Sequence, residues 1–211
     1  MTRSNVLVRS DYLGHLTAPG REALIAYGVT TVIDLRSASE VANKPNPFAD
    51  GSGPAYVHRE LIDDANMRQI GDSPDMFERY LMILDNRPQA FHDIFDSVAE
   101  ADGAVLFHCY AGKDRTGMIA AMLLALAGVT PDDIAADYGE TDLRLAKQYE
   151  KWITEAAPER REAFRQELRC PPERILGVLE HLQRKWGGVD GYLESSGTTP
   201  ANVDRLSAKL E

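Results

Sequence analysis

Cysteine is scarce in this chain: among its 211 residues, only Cys109 and Cys170 carry a thiol. Two cysteines cannot build the multi-bridge framework of a small secreted domain, and the sequence has no paired Cys/His spacing of the kind that holds zinc. We therefore expect both thiols to be reduced.

Long apolar runs are absent as well. No stretch of the chain has the length and apolar character of a membrane-spanning helix. The N-terminal segment MTRSNVLVRSDYLGHL lacks the apolar run of a secretory signal peptide. We expect a cytoplasmic protein without stable membrane insertion, and export by a route that needs no signal peptide is the alternative.

Basic residues are outnumbered by acidic ones. The chain has 23 Lys and Arg against 33 Asp and Glu, which gives a formal net charge of −10. Nucleic acids and anionic membranes repel such a chain, so we expect no nucleic-acid partner. A cationic binding site in this protein has to be local.

The pattern along the chain is that of one α/β domain over residues 1–211. Residues 28–37, GVTTVIDLRS, contain a β-branched strand, and residues 103–109, GAVLFHC, form the apolar run of a strand buried on both faces. Helical patterns fill most of the chain after Gly128, whereas residues 61–72, LIDDANMRQIGD, read as a surface loop. We predict a central, mostly parallel sheet flanked by helices, with a helical C-terminal part.

Residues 107–117, FHCYAGKDRTG, lie between an apolar strand and an apolar helical run. An ordinary turn needs only residues such as Gly, Pro, Asn and Asp, so packing explains neither the thiol nor the cations. The helix N-terminus and the inward N–H groups of this turn favour an anion, and Arg115 can donate two hydrogen bonds to two phosphate oxygens. The predicted phosphate-binding residues are Tyr110, Ala111, Gly112, Lys113, Asp114 and Arg115.

The thiol of Cys109 faces this predicted anion site. The helix end, the N–H groups and the nearby cations all favour a thiolate over a thiol. A thiolate below a bound phosphate ester can attack phosphorus in line, which gives a phosphocysteine that water then hydrolyses. Arg115 and the N–H groups would hold the equatorial phosphate oxygens through both steps.

The string His108-Cys109, five residues, then Arg115-Thr116 resembles the signature loop of cysteine-based protein tyrosine phosphatases. The segments RSDYLGHL, GVTTVIDLRS, HCYAGKDRTG and GGVDGYLESSG are together similar to bacterial tyrosine phosphatases with a Lys-Asp pair in the loop. That group includes mycobacterial enzymes and related lipid phosphatases. The resemblance implies a phosphotyrosine-phosphatase-like fold with neither a metal nor another cofactor.

The resemblance also implies a role for each matching residue. Cys109 would be the nucleophile and Arg115 the phosphate clamp. His108 would be a buried partner that favours the thiolate, and the Thr116 hydroxyl would stabilise the thiolate when it leaves. Lys113 resembles lysines that neutralise extra phosphates in phosphoinositide phosphatases.

The general acid is the point where this sequence departs from the commonest family pattern. Many relatives supply the acid from a separate Trp-Pro-Asp loop, and this chain has no such tripeptide. Asp114 resembles the acid proposed for the bacterial group, so we predict that it protonates the leaving oxygen. Asp63 or Asp64, upstream, is the alternative.

Two further residues have structural interpretations. Arg36 could approach the phosphate or pair with Asp34, and the pair is favoured. Cys170, which precedes two prolines, is interpreted as inert.

These features predict a metal-independent phosphatase that acts on phosphotyrosine in proteins. A phosphoinositide is the second candidate substrate because of Lys113. Two other classes stay open: a rhodanese-type sulfurtransferase, against which the spacing of Cys109, Arg115 and Thr116 argues, and a catalytically silent binder of phosphate esters. The sequence carries no signal of the oligomeric state.

Overall fold

A computed structural model describes residues 4–71, 73 and 75–210 of the chain. Within these residues there are four strands, which form one sheet in the order β1-β4-β2-β3 with every neighbouring pair parallel. The strands are β1 (Leu7–Ser10), β2 (Val29–Asp34), β3 (Ala55–His58) and β4 (Ala104–His108). The predicted α/β fold with a central parallel sheet is confirmed.

Helices account for most of the remaining described chain, and the part after β4 is entirely helical apart from its connections. The helices are α1 (Ala18–Ala26), α2 (Ala38–Asn43), α3 (Asp64–Gly71), α4 (Met76–Asn86), α5 (Pro88–Glu100), α6 (Asp114–Leu126), α7 (Pro131–Arg144), α8 (Ala146–Glu155), α9 (Arg161–Leu168), α10 (Pro172–Trp186), α11 (Val189–Ser195) and α12 (Pro200–Leu210). None of those described is both long and apolar enough to cross a lipid bilayer.

The prediction of a surface loop over residues 61–72 is wrong for most of that segment, because α3 forms there. Asp63 begins the helix: its carboxylate accepts a hydrogen bond from the Asn66 N–H at 2.8 Å, and its carbonyl accepts one from the Met67 N–H at 2.8 Å. The sequence around an aspartate does not distinguish a helix cap from a turn, because aspartate is common in both. The buried side chain of Ile70 then anchors the helix to the core.

The central strand β4 is buried along its whole length. Val105 and Phe107 face the larger hydrophobic core, and Leu106 faces a smaller cluster on the opposite side of the sheet that contains Val32 and Phe48. Because successive side chains of a strand alternate between faces, a strand covered on both faces is a continuous apolar run. This explains why β4 is recognisable in the sequence.

The parallel arrangement brings the carboxyl ends of the strands to one edge of the sheet. His108, the last residue of β4, pairs in register with Ser10 of β1 and with Asp34 of β2. Ligands of open parallel sheets bind outside this edge. The signature loop leaves β4 at the same edge and leads into α6.

Candidate active site

The signature loop, residues 108–116, is fixed from outside by the end of β1 and the residues after it. Gly112 has a φ of +66°, and a Cβ atom at this position would lie 2.7 Å from the Ser10 carbonyl oxygen, so glycine is required. Arg9 Nη2 donates a hydrogen bond to the Gly112 carbonyl at 3.0 Å, and the Tyr12 N–H donates one to the Tyr110 carbonyl at 3.1 Å. Two loop carbonyls are therefore already satisfied.

The backbone N–H groups of the same loop are not paired in this way. Those of residues 110–115 have no hydrogen-bond acceptor in the described part of the chain. The next turn of α6 closes normally, because the Gly117 N–H donates to the Lys113 carbonyl at 2.9 Å. Unpaired N–H groups at a helix N-terminus are suited to bind an anion.

Cys109 is only 3% exposed, and it lines an open cavity of about 810 Å³. The cavity is lined by the signature loop, the start of α6, and helices α2 and α3. Tyr110, Ala111, Asp114 and Arg115 line this cavity together with the thiol. The structure thus brings the predicted nucleophile, clamp and acid to one cavity.

Arg115 is held by a residue that sequence reasoning missed. Its Nη1 and Nη2 atoms donate to Glu40 Oε2 and Oε1 at 2.5 and 2.9 Å. The edge of the guanidinium that carries Nε–H and the other Nη2 hydrogen has no partner among the described residues. That edge can still donate two hydrogen bonds to a phosphate.

Glu40 is fixed in turn by the start of α2. The Ser37 N–H donates to Glu40 Oε2 at 2.9 Å, and the Ser37 side chain accepts from the Glu40 N–H, which is a capping box. Burial raises the pKa of Glu40, but the hydrogen bond and charge of Arg115 outweigh burial and leave this pKa below its usual value. The pKa of Arg115 is raised, because its pairing with Glu40 outweighs the opposite effect of burial.

Asp114, the predicted acid, is bound through one of its two carboxylate oxygens. The Tyr80 hydroxyl donates to Oδ1 at 2.5 Å, and Lys113 Nζ lies 3.3 Å from the same oxygen. Oδ2 has no partner in the described part of the chain. Asp114 therefore has one oxygen available on a side chain that lines the cavity.

The side chain of Lys113 turns away from the cavity. It is 3% exposed, and its ammonium group donates to the Glu167 carbonyl at 2.5 Å. With Asp114 as its ion-pair partner, the lysine ties the signature loop to α9. The lysine side chain does not line the cavity.

His108 is completely buried below the nucleophile. Its Nδ1 donates to the Cys109 carbonyl at 2.9 Å, and its Nε2 then accepts from the Asn46 amide at 2.8 Å. Burial lowers the pKa of His108 despite the opposing charge of Asp34, 3.5 Å from Nε2. A neutral imidazole with its proton on Nδ1 satisfies both contacts.

Arg36 pairs with Asp34, as favoured from the sequence. The Nε–Oδ1 and Nη2–Oδ2 distances are 2.8 and 2.6 Å, and both side chains are fully buried. Burial raises the pKa of Asp34, but the bonds from Arg36 outweigh it and the pKa is lowered. The pair lies at the end of β2, and neither side chain lines the cavity.

The two alternative acids lie in different places. Asp63 forms an ion pair with Arg87 at 2.5 Å and does not line the cavity. Asp64 does line it, and Asp64 Oδ1 accepts from the Ser39 hydroxyl at 2.6 Å. Of the upstream pair, only Asp64 is in a position to reach a substrate.

Thr116 is fully buried, and its hydroxyl has no hydrogen-bond partner within the described residues. Tyr110 lines the cavity and is 37% exposed, with its hydroxyl 2.6 Å from Lys44 Nζ and its ring stacked on Tyr12. The roles predicted for Thr116 and Tyr110 stay predictions.

Comparison with known proteins identifies similar sequences. The sequence model of the tyrosine phosphatase family matches residues 1–211. A tyrosine-protein phosphatase from Nostoc commune is 34% identical over 219 residues, which cover 98% of this chain and 74% of that protein. The triple specificity protein phosphatase PtpB from Mycobacterium tuberculosis is 29% identical over 253 residues, with 99% and 91% coverage. Both similarities extend over nearly the whole chain.

Proposed function

Since this chain belongs to the tyrosine phosphatase family, we propose that it hydrolyses phosphate monoesters at Cys109 through a phosphocysteine, and that residues 1–211 act as one domain. One observation carries the proposal. The buried thiol of Cys109, the unpaired N–H groups of residues 110–115 and the free edge of Arg115 belong to one loop around one cavity.

In the first step, the Cys109 thiolate attacks phosphorus. The bond from sulfur to phosphorus forms as the ester bond from phosphorus to oxygen breaks, and the leaving oxygen takes a proton from the Asp114 carboxyl group. The loop N–H groups and Arg115 hold the equatorial oxygens, where negative charge is concentrated in the transition state.

In the second step, water attacks the phosphocysteine. Asp114, now ionised, accepts the proton of the attacking water, and the bond between phosphorus and sulfur breaks. Inorganic phosphate leaves and the thiolate returns. Thr116 would donate its unpaired hydroxyl to this thiolate. Asp64 is the alternative acid and base, because it is the other carboxylate on the cavity wall.

Phosphotyrosine in proteins is the proposed substrate. Cys109 is almost completely buried, and phosphotyrosine carries its phosphate farther from the peptide backbone than phosphoserine does. Phosphoinositides are the second candidate, and the support for them is Arg68, which lines the cavity. The side chain of Lys113 gives no such support, because it is bonded to the Glu167 carbonyl.

The test is hydrolysis of para-nitrophenyl phosphate in excess EDTA, followed by a panel of phosphopeptides and phosphoinositides. We compare the wild type with Cys109→Ser, and Cys170→Ser is the matched control. Cys170 is also buried, outside the cavity lining, and burial raises its pKa to about 12.

We expect turnover that resists the chelator, is lost in Cys109→Ser and persists in Cys170→Ser. The phosphotyrosine peptides should be the best substrates of the panel. Folded wild-type protein that binds phosphate esters and turns over none of them would contradict the proposal and indicate a silent binder.

A further inference from the structure

We propose that Tyr80 is a positioning residue that selects which oxygen of Asp114 carries the catalytic proton, at the end of a directed hydrogen-bond chain from Arg174 and Tyr138. This inference rests on the role of Asp114 in the proposed function. It concerns a residue of α4 that is 34 positions away from Asp114 in the chain.

The chain consists of three contacts in line. Arg174 Nη1 lies 3.4 Å from the Tyr138 hydroxyl, that hydroxyl lies 2.8 Å from the Tyr80 hydroxyl, and Tyr80 lies 2.5 Å from Asp114 Oδ1. The two tyrosines are each 1% exposed. The contacts therefore connect α10, α7 and α4 to the first residue of α6 through the protein interior.

Only one direction of donation satisfies all of these groups. A guanidinium can only donate, so the Tyr138 oxygen accepts from Arg174. Each tyrosine has one proton. If Tyr80 donates to the carboxylate, then Tyr138 must donate to Tyr80. Every hydroxyl in the chain then donates once and accepts once.

This arrangement distinguishes the two oxygens of Asp114. Oδ1 is bound by Tyr80 and lies 3.3 Å from Lys113 Nζ, whereas Oδ2 has no partner among the described residues. A proton on Asp114 therefore belongs on Oδ2, because a proton on Oδ1 would compete with two donors. Oδ1 accepts from Tyr80 in both protonation states, so the carboxyl plane stays fixed while the proton leaves and returns.

Tyr80 is suited to this task because it remains a donor. Burial and the nearby Asp114 raise its pKa well above the usual value. A second buried tyrosine offers a control: the Tyr192 hydroxyl donates to the Leu84 carbonyl at 2.8 Å and takes no part in the cavity lining. Tyr192→Phe therefore removes a buried hydroxyl without touching Asp114.

The experiment compares two aryl phosphates in each variant, one with a good leaving group, 2,4-dinitrophenol, and one with a poor leaving group, phenol. For Tyr80→Phe we expect kcat/KM for the phenyl ester to fall about tenfold and kcat/KM for the dinitrophenyl ester to fall less than twofold, because kcat/KM reports the first step and only the poor leaving group needs the proton there. The ratio of the two rates does not depend on the fraction of folded protein.

Three variants give the reference points. Tyr192→Phe should leave the ratio unchanged. Asp114→Asn should change it more than Tyr80→Phe does, and in the double variant the Tyr80 effect should disappear, since Tyr80 acts through Asp114. A ratio in Tyr80→Phe equal to that of the wild type overturns the positioning role.

The outcome for Asp114→Asn separates this inference from the proposed function. If Asp114→Asn leaves the ratio at its wild-type value, the acid is not Asp114 and the inference falls with that assignment, while the dependence on Cys109 still tests the phosphatase. If Asp114→Asn changes the ratio and Tyr80→Phe does not, only the positioning role is wrong.

Discussion

The two carboxylate oxygens of Glu40 each accept a hydrogen bond from one terminal nitrogen of Arg115. This pair uses one edge of the guanidinium and leaves the edge with Nε for the substrate. Glu40 is itself held by the capping box of α2. The start of a short helix therefore determines how the predicted phosphate clamp is oriented.

We predict that Glu40→Gln lowers kcat/KM about 10²-fold, because a misplaced clamp no longer fits the transition state. A glutamine has one oxygen and one amide group, so it cannot accept both hydrogen bonds. Steady-state kinetics with a phosphotyrosine peptide measure the effect. Glu140→Gln, which breaks an exposed pair with Arg144, is the control. A loss of less than twofold in Glu40→Gln would show that Arg115 does not depend on Glu40.

The same pair predicts a pH dependence of stability. The pKa of Glu40 in the folded protein is lowered from 4.5. A carboxyl group whose pKa is lower in the folded protein than in the unfolded chain stabilises the fold at pH values above the unfolded-state pKa. This contribution is lost as the pH falls through the folded-state pKa. The stability advantage of the wild type over Glu40→Gln should therefore be complete at about pH 6 and shrink below about pH 4.5. Urea unfolding at several pH values measures it, and a difference that grows on acidification would contradict the assignment.

Arg9 of β1 is hydrogen-bonded to the backbone of the signature loop. It donates to the Gly112 carbonyl at 3.0 Å and to the Asp137 carboxylate at 2.5 Å. A lysine keeps the charge but cannot make both contacts in the same geometry. We predict that Arg9→Lys lowers kcat/KM about tenfold, in line with one lost charge-assisted hydrogen bond. Arg144→Lys is the matched control, and equal activity of the two variants would contradict the prediction.

A substitution of Lys113 distinguishes a structural role of its side chain from a role in substrate binding. Its ammonium group is buried against the Glu167 carbonyl and does not line the cavity. We predict that Lys113→Met lowers activity on phosphopeptides and on phosphoinositides by the same factor. Rates on both substrate classes, measured side by side, check this. A selective loss on phosphoinositides would mean that the lysine reaches the substrate.

The sequence was sufficient for the parts of the molecule that depend on local pattern. The apolar run of β4 and the motif that follows it predicted the central strand, the loop and the N-terminus of α6. Glu40 was missed, because its S-x-x-E pattern with Ser37 is only the local signal of a helix cap and nothing local connects it with Arg115, which is 75 positions away.

Other contacts of the site also join residues that are far apart in the chain. Arg9 meets Gly112 across 103 positions, and only the register of β1 against β4 brings them together. The helix α3 was missed for a different reason: an aspartate such as Asp63 is common both at a helix cap and in a turn, so its sequence context does not distinguish the two. Lys113 was predicted to face phosphate, but the position of α9 determines where its side chain points.

The most direct test of the central proposal is to trap the covalent intermediate on Cys109. A phosphotyrosine peptide with radiolabelled phosphate is mixed with the enzyme, the reaction is quenched within one turnover, and the label is mapped by proteolysis and mass spectrometry. We predict that the label resides on the peptide that contains Cys109 and that Cys109→Ser protein carries none. Turnover without any label on Cys109, or turnover that persists in Cys109→Ser, would contradict the phosphocysteine route.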